Sequence, residues 1–401
     1  MSAPPAESAA EPEAQTALDP APVRSISRIS ALDGLRGLAV LLVAVGHAGD
    51  QLWPRSLVNE VPVLRGFFGG GAVVIFFVVG GLIVTRGLLR DHAEGALDPV
   101  RFYLRRLVRV GAQLLPLALA VLVVSRVDAT DRTPPAVTAQ SLMHVLTQTW
   151  NTYTQDNLLA SRSDLGHLWY LSVQQQCYLL LPLLVAVLAV HRRVFAGLLL
   201  ALVVAVTVWR YHVLDTDGWV IAATATTTRA DGLIMGVLLA VALPFLTRFR
   251  DRAAMVMTVS GVAMVVLIGV LQELAPFQFL REWGIVFTLV TAAMVAAIFI
   301  AQGPSAVSRL LSKPALTYLG RASLAIFVWH LPVFAFVARH TTTWDWMPRT
   351  ILGASLLAAV VWTTHRWFDE PARRWLAVHL RPRPAAYAPA TSRPETASSP
   401  A

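Results

Sequence analysis

The chain has 401 residues, of which 56% are hydrophobic and only 14% charged, where a soluble domain carries about a quarter charged residues. That composition cannot cover a globule with polar surface, and it points to a polytopic membrane protein. The net charge of +9 comes almost wholly from arginine, Lys313 being the sole lysine; the arginines stand in short clusters between apolar runs, the pattern that sets membrane topology rather than nucleic-acid contact. A single cysteine, Cys177, excludes an intrachain disulfide and a Cys-rich metal site.

Residues 1–23 are rich in Ala, Pro and Glu and read as a disordered tail, without the basic start of a signal peptide. Ten apolar runs follow, at about 31–49, 67–89, 102–124, 170–190, 194–212, 229–247, 253–271, 283–301, 315–338 and 350–368. They predict an all-α bundle of about ten transmembrane helices within a single membrane domain, 24–380. Residues 381–401, rich in Pro, Ser and Ala, read as a second disordered tail. Basic residues fill alternate connections: Arg86, Arg90, Arg101 and Arg105; His191 to Arg193; Arg248, Arg250 and Arg252; Arg309 and Lys313; then Arg366, Arg373 and Arg374. The other connections hold Asp128, Asp131, Asp156, Asp164, Asp215 and Asp217. Positive-inside reasoning places both termini in the cytoplasm of a multi-pass cell-membrane protein. The longest connection, about 125–169, is then external, with a Ser141–Trp150 segment suited to the interface.

The first run, Ala31 to His47, carries Asp33, Arg36 and His47. Ionisable side chains inside a membrane helix are costly and mark functional candidates. Asp33 sits one turn before Arg36 and can pair with it. Arg36 and His47 are eleven positions apart, about 20° beyond three turns, so they share a face roughly 16 Å apart along the axis. In the third run Arg105, Arg106 and Arg109 lie on adjacent turns. They read as topology signals with snorkelling side chains or as a phosphate clamp, since guanidinium forks match phosphate oxygens. Arg109 lies deeper than topology requires.

His167, Trp169, Gln174 and Gln175 open the fourth run, where Trp169 and Tyr170 also suit an interfacial aromatic belt. Arg229 and Asp231 open the sixth. Two apart on a helix, they do not face each other, so each pairs elsewhere in the bundle or meets a ligand. His330 lies deep in the ninth run, as a structural donor or a site residue. Cys177 reads as packing.

Taken in order, these stretches resemble the bacterial acyltransferase-3 family. Leu-Asp-Gly-Leu-Arg-Gly (32–37) with the Arg36-x10-His47 spacing is similar to the family's first span. Phe76-Phe-Val-Val-Gly-Gly-Leu-Ile83, preceded by Gly69-Gly-Gly71, resembles its second, with Gly80 where serine is usual. Arg106 and Arg109 fall on an Arg-x-x-Arg motif. Gly166-His-Leu-Trp-Tyr-Leu-Ser-Val-Gln-Gln-Gln-Cys-Tyr to Pro182 resembles a signature that usually holds a carboxylate where Gln174 and Gln175 stand. Arg229-Ala-Asp-Gly-Leu, Trp329-His-Leu-Pro332 and Asp369-Glu-Pro371 complete the match. The resemblance implies a membrane O-acyltransferase that takes acetyl-CoA or another acyl-CoA from the cytoplasm, with coenzyme contacts from Arg36, Arg105, Arg106 and Arg109. It makes His47 the general base, served by Arg36, a role that suits a group titrating near neutrality. Asp33, His167, Trp169, Gln174, Arg229, Asp231 and His330 become substrate-binding or structural residues. The expected partners are acyl-CoA, the bilayer, and a carbohydrate, glycolipid or secondary-metabolite acceptor, with neither nucleic acid nor metal. Rival readings are a transporter or lipid-binding protein using Arg36 and His47 as a relay, and an inactive relative acting as a scaffold.

Overall fold

The computed structural model describes residues 29–60, 71–271 and 278–380. The tails expected at 1–23 and 381–401, and the start of the second run with Gly69 and Gly70, lie outside the described residues. Ten long helices account for most of the rest: α1 (Ser30–Leu52), α2 (Gly71–Ala93), α3 (Pro99–Val127), α4 (Trp169–Leu188), α5 (Arg192–Thr216), α6 (Asp231–Leu246), α7 (Ala253–Leu271), α8 (Gly284–Ile300), α9 (Pro314–His340) and α10 (Trp346–Thr364). There is no strand among the described residues.

Eight segments are long and apolar enough to cross a membrane. One of them, Asp231–Val270, contains both α6 and α7. As one 40-residue helix it would reach about 60 Å, twice the hydrocarbon thickness. The Thr247–Arg252 turn, with Arg248, Arg250, Asp251 and Arg252, divides it. The tenth long helix, α10, has Arg349 in its first turn. The flanks of α3, α4, α5 and α7 expose Leu107, Leu115, Leu183, Val204 and Val265, among many others. In water such a continuous apolar surface would drive aggregation. Here it is the face a bilayer covers, and the molecule is a multi-pass membrane protein.

Helices in lipid gain little from hydrophobic burial, so close backbone approach holds them together. The central crossing pairs α1 with α9. A Cβ on Gly37 would run into the Leu316 carbonyl and one on Gly320 into that of Asp33, while one on Gly34 would run into the Leu311 carbonyl just ahead of α9. A second crossing pairs α2 with α6 through Gly81 and Gly236. These two crossings set the depth of the side chains that face the middle of the bundle.

One end of the bundle holds the start of α1, the start of α3 and residues 365–379; the other holds the segment 128–168. That segment forms helices at Pro135–Leu146 and Trp150–Asp156 and a 3-10 turn at Ser163–Leu168. Arg162 pins it from within. The guanidinium donates to both oxygens of Asp164 at 2.9 and 2.6 Å, to Asp131 at 2.9 Å and to Thr138 at 3.1 Å. Burial alone would raise the Asp131 carboxyl, but hydrogen bonds from Thr133 and the Arg162 charge hold it below the usual carboxylate range.

Candidate active site

Three arginines converge because α1 and α3 both pack against α9. Arg36, Arg106 and Arg109 line a cavity of about 110 Å³ together with Gly80, Tyr170, Gln174, Gln175, Tyr178 and Ser323. Arg36 is held on two sides: Asp33 Oδ1 lies 3.6 Å from its Nη1, and its Nη2 donates to Ser323 Oγ at 2.7 Å. Arg106 stacks 3.9 Å over the Tyr178 ring, and its buried Nη2 has no hydrogen-bond partner. An unpaired guanidinium nitrogen on a residue that lines a cavity suits an anionic guest.

Gln174 donates to Tyr170 Oη at 2.6 Å. Its amide and the Tyr178 hydroxyl crowd Gly80, where a Cβ would lie 2.9 Å and 2.7 Å from them. The glycine and the glutamine are therefore one adaptation: the space a side chain at 80 would take is filled by the amide of 174.

Arg36 and Arg109 also line a larger vestibule of about 770 Å³, joined there by Arg86, Arg321 and Arg373. Arg373 is paired with Asp369 at 2.8 Å, and Arg86 lies 4.0 Å over Phe299. Arg105 is not brought to this site; it turns outward and donates to the Leu380 carbonyl.

The three histidines form a separate cluster towards the other end. His330 Nε2 lies 3.1 Å from His47 Nδ1, and the His167 and His330 rings are 4.6 Å apart. The protons follow from the partners, because a carbonyl oxygen can only accept. His330 Nδ1 faces the Phe327 and Ile326 carbonyls at 2.8 and 3.1 Å, so it carries the proton and Nε2 accepts. His47 Nδ1 faces that nitrogen and the Val43 carbonyl at 3.0 Å, so it is the donor. Neutral His47 therefore keeps its lone pair on Nε2. His167 Nε2 donates to the Val328 carbonyl at 3.2 Å, leaving a buried, unpartnered Nδ1. His167 and His330 are buried, whereas His47 is partly open.

An aromatic layer separates the two clusters. Phe76, Tyr170 and Phe327 line the arginine cavity. The Phe327 ring also lies 5.3 Å from His167 and 5.8 Å from His330. Trp169 stands behind this layer, 6.4 Å from both Phe77 and Tyr170. Arg229 lies 5.5 Å over Trp169 and 5.8 Å over Phe279. Asp231 takes a different partner, Arg210 Nη1, at 2.7 Å. Sequence reasoning missed Tyr170, Tyr178, Ser323 and Phe327 as cavity walls, and Arg86, Arg321 and Arg373 as vestibule residues. The tyrosines lie inside a motif that was in view; the distant arginines look like topology signals until the helices are folded together.

The chain is 25% identical over 333 residues to "Putative O-acetyltransferase SACOL0978" of Staphylococcus aureus (strain COL), covering 77% of this chain and 51% of the relative. It is also 25% identical over 332 residues to "O-acetyltransferase OatA" of Staphylococcus aureus (strain NCTC 8325 / PS 47), covering 76% and 50%. The chain thus spans about half the length of the curated relatives it matches. No solved structure matches it. The family model described as an acyltransferase domain matches residues 29–365, nearly the whole helical bundle and every residue of the two clusters, and the chain belongs to that acyltransferase-3 family.

Proposed function

We propose that the chain is a membrane O-acetyltransferase that moves an acetyl group from acetyl-CoA to a hydroxyl of a carbohydrate or related acceptor. The observation that carries this reading is the arrangement of the two clusters along the bundle, arginines at one end and histidines towards the other, meeting at Phe327. The donor enters at the arginine end, which is cytoplasmic in this reading. The vestibule arginines take the phosphates of the coenzyme, and Arg36, Arg106 and Arg109 anchor the start of its pantetheine arm. The acceptor arrives from the opposite side, as cell-envelope glycan, lipid-linked sugar or secreted metabolite.

His47 Nε2 accepts the hydroxyl proton while the acceptor oxygen bonds the thioester carbonyl carbon. The C–S bond then breaks with its electron pair on sulfur, and His47 returns the proton to the released thiol. His330 fixes the tautomer that leaves Nε2 free. No covalent relay is required, since the chain has no Gly-x-Ser-x-Gly motif.

Purified protein in bilayer discs tests this reading with labelled acetyl-CoA and a panel of envelope acceptors. His47→Ala and His47→Gln are expected to lose transfer by on the order of 10²–10⁴ while keeping coenzyme A affinity. Arg106→Ala and Arg109→Ala are expected to weaken that affinity by about 1.5–3 kcal/mol each. An active His47→Gln enzyme would reduce His47 to positioning, and unchanged affinity in both arginine variants would remove the donor from this end.

A further inference from the structure

The vestibule holds more positive charge than a diphosphate needs. Five guanidiniums line it, those of Arg36, Arg86, Arg109, Arg321 and Arg373, against the single carboxylate of Asp33. Asp33 is paired with Arg36, and Arg373 is paired with Asp369. Arg86, Arg109 and Arg321 make no ion pair among the described residues. Cations gathered around one cleft repel one another and focus their field on an anion.

The order of these cations along the entry path says where each charge of a guest would sit. Arg36 and Arg109 line both the narrow cavity of about 110 Å³ and the wide vestibule of about 770 Å³, so they stand at the junction. A pantetheine arm in the narrow part places the diphosphate that precedes it at that junction. Arg86, on α2, and Arg321, on α9, line the vestibule and not the cavity. The Arg86 guanidinium lies 4.0 Å over the ring of Phe299, itself a vestibule residue. Stacking fixes the plane of the fork and leaves its N–H edge free for two phosphate oxygens. In coenzyme A, the charge beyond the diphosphate is the ribose 3′-phosphate, a monoester carrying about −1.5 to −2 at pH 7. Dephospho-CoA lacks that group. Phosphopantetheine on a carrier protein lacks it too and has only a phosphodiester.

We propose that Arg86 and Arg321 form a subsite for the ribose 3′-phosphate, so that the protein takes acyl groups from coenzyme A and rejects thioesters of dephospho-CoA and of carrier-bound phosphopantetheine. This rests on the donor reading above and narrows its donor class. The diphosphate, which coenzyme A and dephospho-CoA share, stays with Arg36 and Arg109 at the junction. No bond is made or broken at the subsite; it acts on affinity and on the choice of donor.

The test is equilibrium binding of coenzyme A and dephospho-CoA to the full chain in bilayer discs, corrected with empty discs. The wild type is expected to bind coenzyme A about tenfold more tightly, or better, as hydrogen bonds between charged groups allow. That advantage should vanish when Arg86→Gln and Arg321→Gln are combined. It should stand in Arg105→Gln, whose native side chain turns away from the vestibule. Equal binding of the two ligands by the wild type, or an advantage that survives the double variant, would overturn the subsite. So would its loss in Arg105→Gln, which would show only a general attraction to the positive end. A double variant that keeps its thermal midpoint but loses dephospho-CoA as well would place these arginines on the diphosphate, and the subsite would fall. A wild type that binds neither ligand would overturn the donor reading beneath it, a separate outcome.

Discussion

At the scale of single residues, the proposed mechanism makes His47 the reacting group and His330 the group that positions it. His330 accepts from His47 Nδ1 and is itself held by two carbonyls, so it acts through His47. His330→Leu removes the acceptor. It is expected to lower turnover by on the order of 10², as misplaced catalytic groups do, with little change in KM for the donor and a shifted pH profile. His330→Gln restores an acceptor oxygen and should recover much of the loss. Equal losses in both variants, together with lost donor affinity, would make His330 merely structural. The residue scale is also where the sequence was only partly legible. Gly80 and Gln174 read separately as departures from a motif, because their mutual crowding exists only after α2 and α4 pack. Arg105 and Arg106 are adjacent in sequence and looked equivalent, yet a helix turns neighbours about 100° apart, so one faces the cavity and the other leaves it.

At the scale of helices, the spans were legible and their ends were not. The run expected at 253–271 is α7, and that expected at 315–338 lies inside α9 (Pro314–His340). α3 starts earlier than its run because Asp98 caps it, accepting from the Arg101 amide at 3.0 Å, with Pro99 following. Hydropathy stops at the arginines that this cap carries into the helix. α10 gives way near 365, where Asp369 accepts from His365 at 3.0 Å and from Arg373 at 2.8 Å in a π-helical turn. The glycines of the first motif, read beside its charged residues, are crossing contacts. Gly320→Ala must push apart α9 and the α1 backbone, and a misfit of this kind costs about 1–3 kcal/mol or more. Its thermal midpoint in detergent should fall well below that of Gly87→Ala, a position with nothing within 4 Å. Matching midpoints would show that the crossing relaxes. The segment 128–168 carries its own prediction. Arg162→Ala leaves Asp131 and Asp164 unpaired in a buried site and should cost about 3–5 kcal/mol, read as new protease cleavage within that segment. In the wild type, the depressed Asp131 carboxyl contributes stability that is complete above its unfolded value and fades as pH falls through the lower folded one. Protection should therefore hold from pH 7 to 5 and fail only below about pH 4.

For the whole molecule, the two ends differ in chemistry, and the difference predicts an orientation. Arg36, Arg86, Arg109, Arg321 and Arg373 meet at one end around a vestibule open to it. The other end holds Asp128, Asp131 and Asp164, with Arg162, Arg339 and His340 spent on those carboxylates. An excess of arginine at one end is what the positive-inside rule assigns to the cytoplasm, the side from which the proposed donor enters. In the proposed reading, a donor confined to the arginine side meets His47 across the Phe76, Tyr170 and Phe327 layer. The described chain begins at Ile29 and ends at Leu380, both at the arginine end, so those two ends should be cytoplasmic. The single cysteine makes this measurable: Cys177→Ala gives a cysteine-free chain. In that background, a cysteine placed at Asp156 should react with a membrane-impermeant maleimide on intact cells. One placed at Arg374 should react only after the membrane is opened. The reverse pattern would put the arginine vestibule outside, away from any acyl-CoA, and with it would fall both the proposed donor and the direction of transfer.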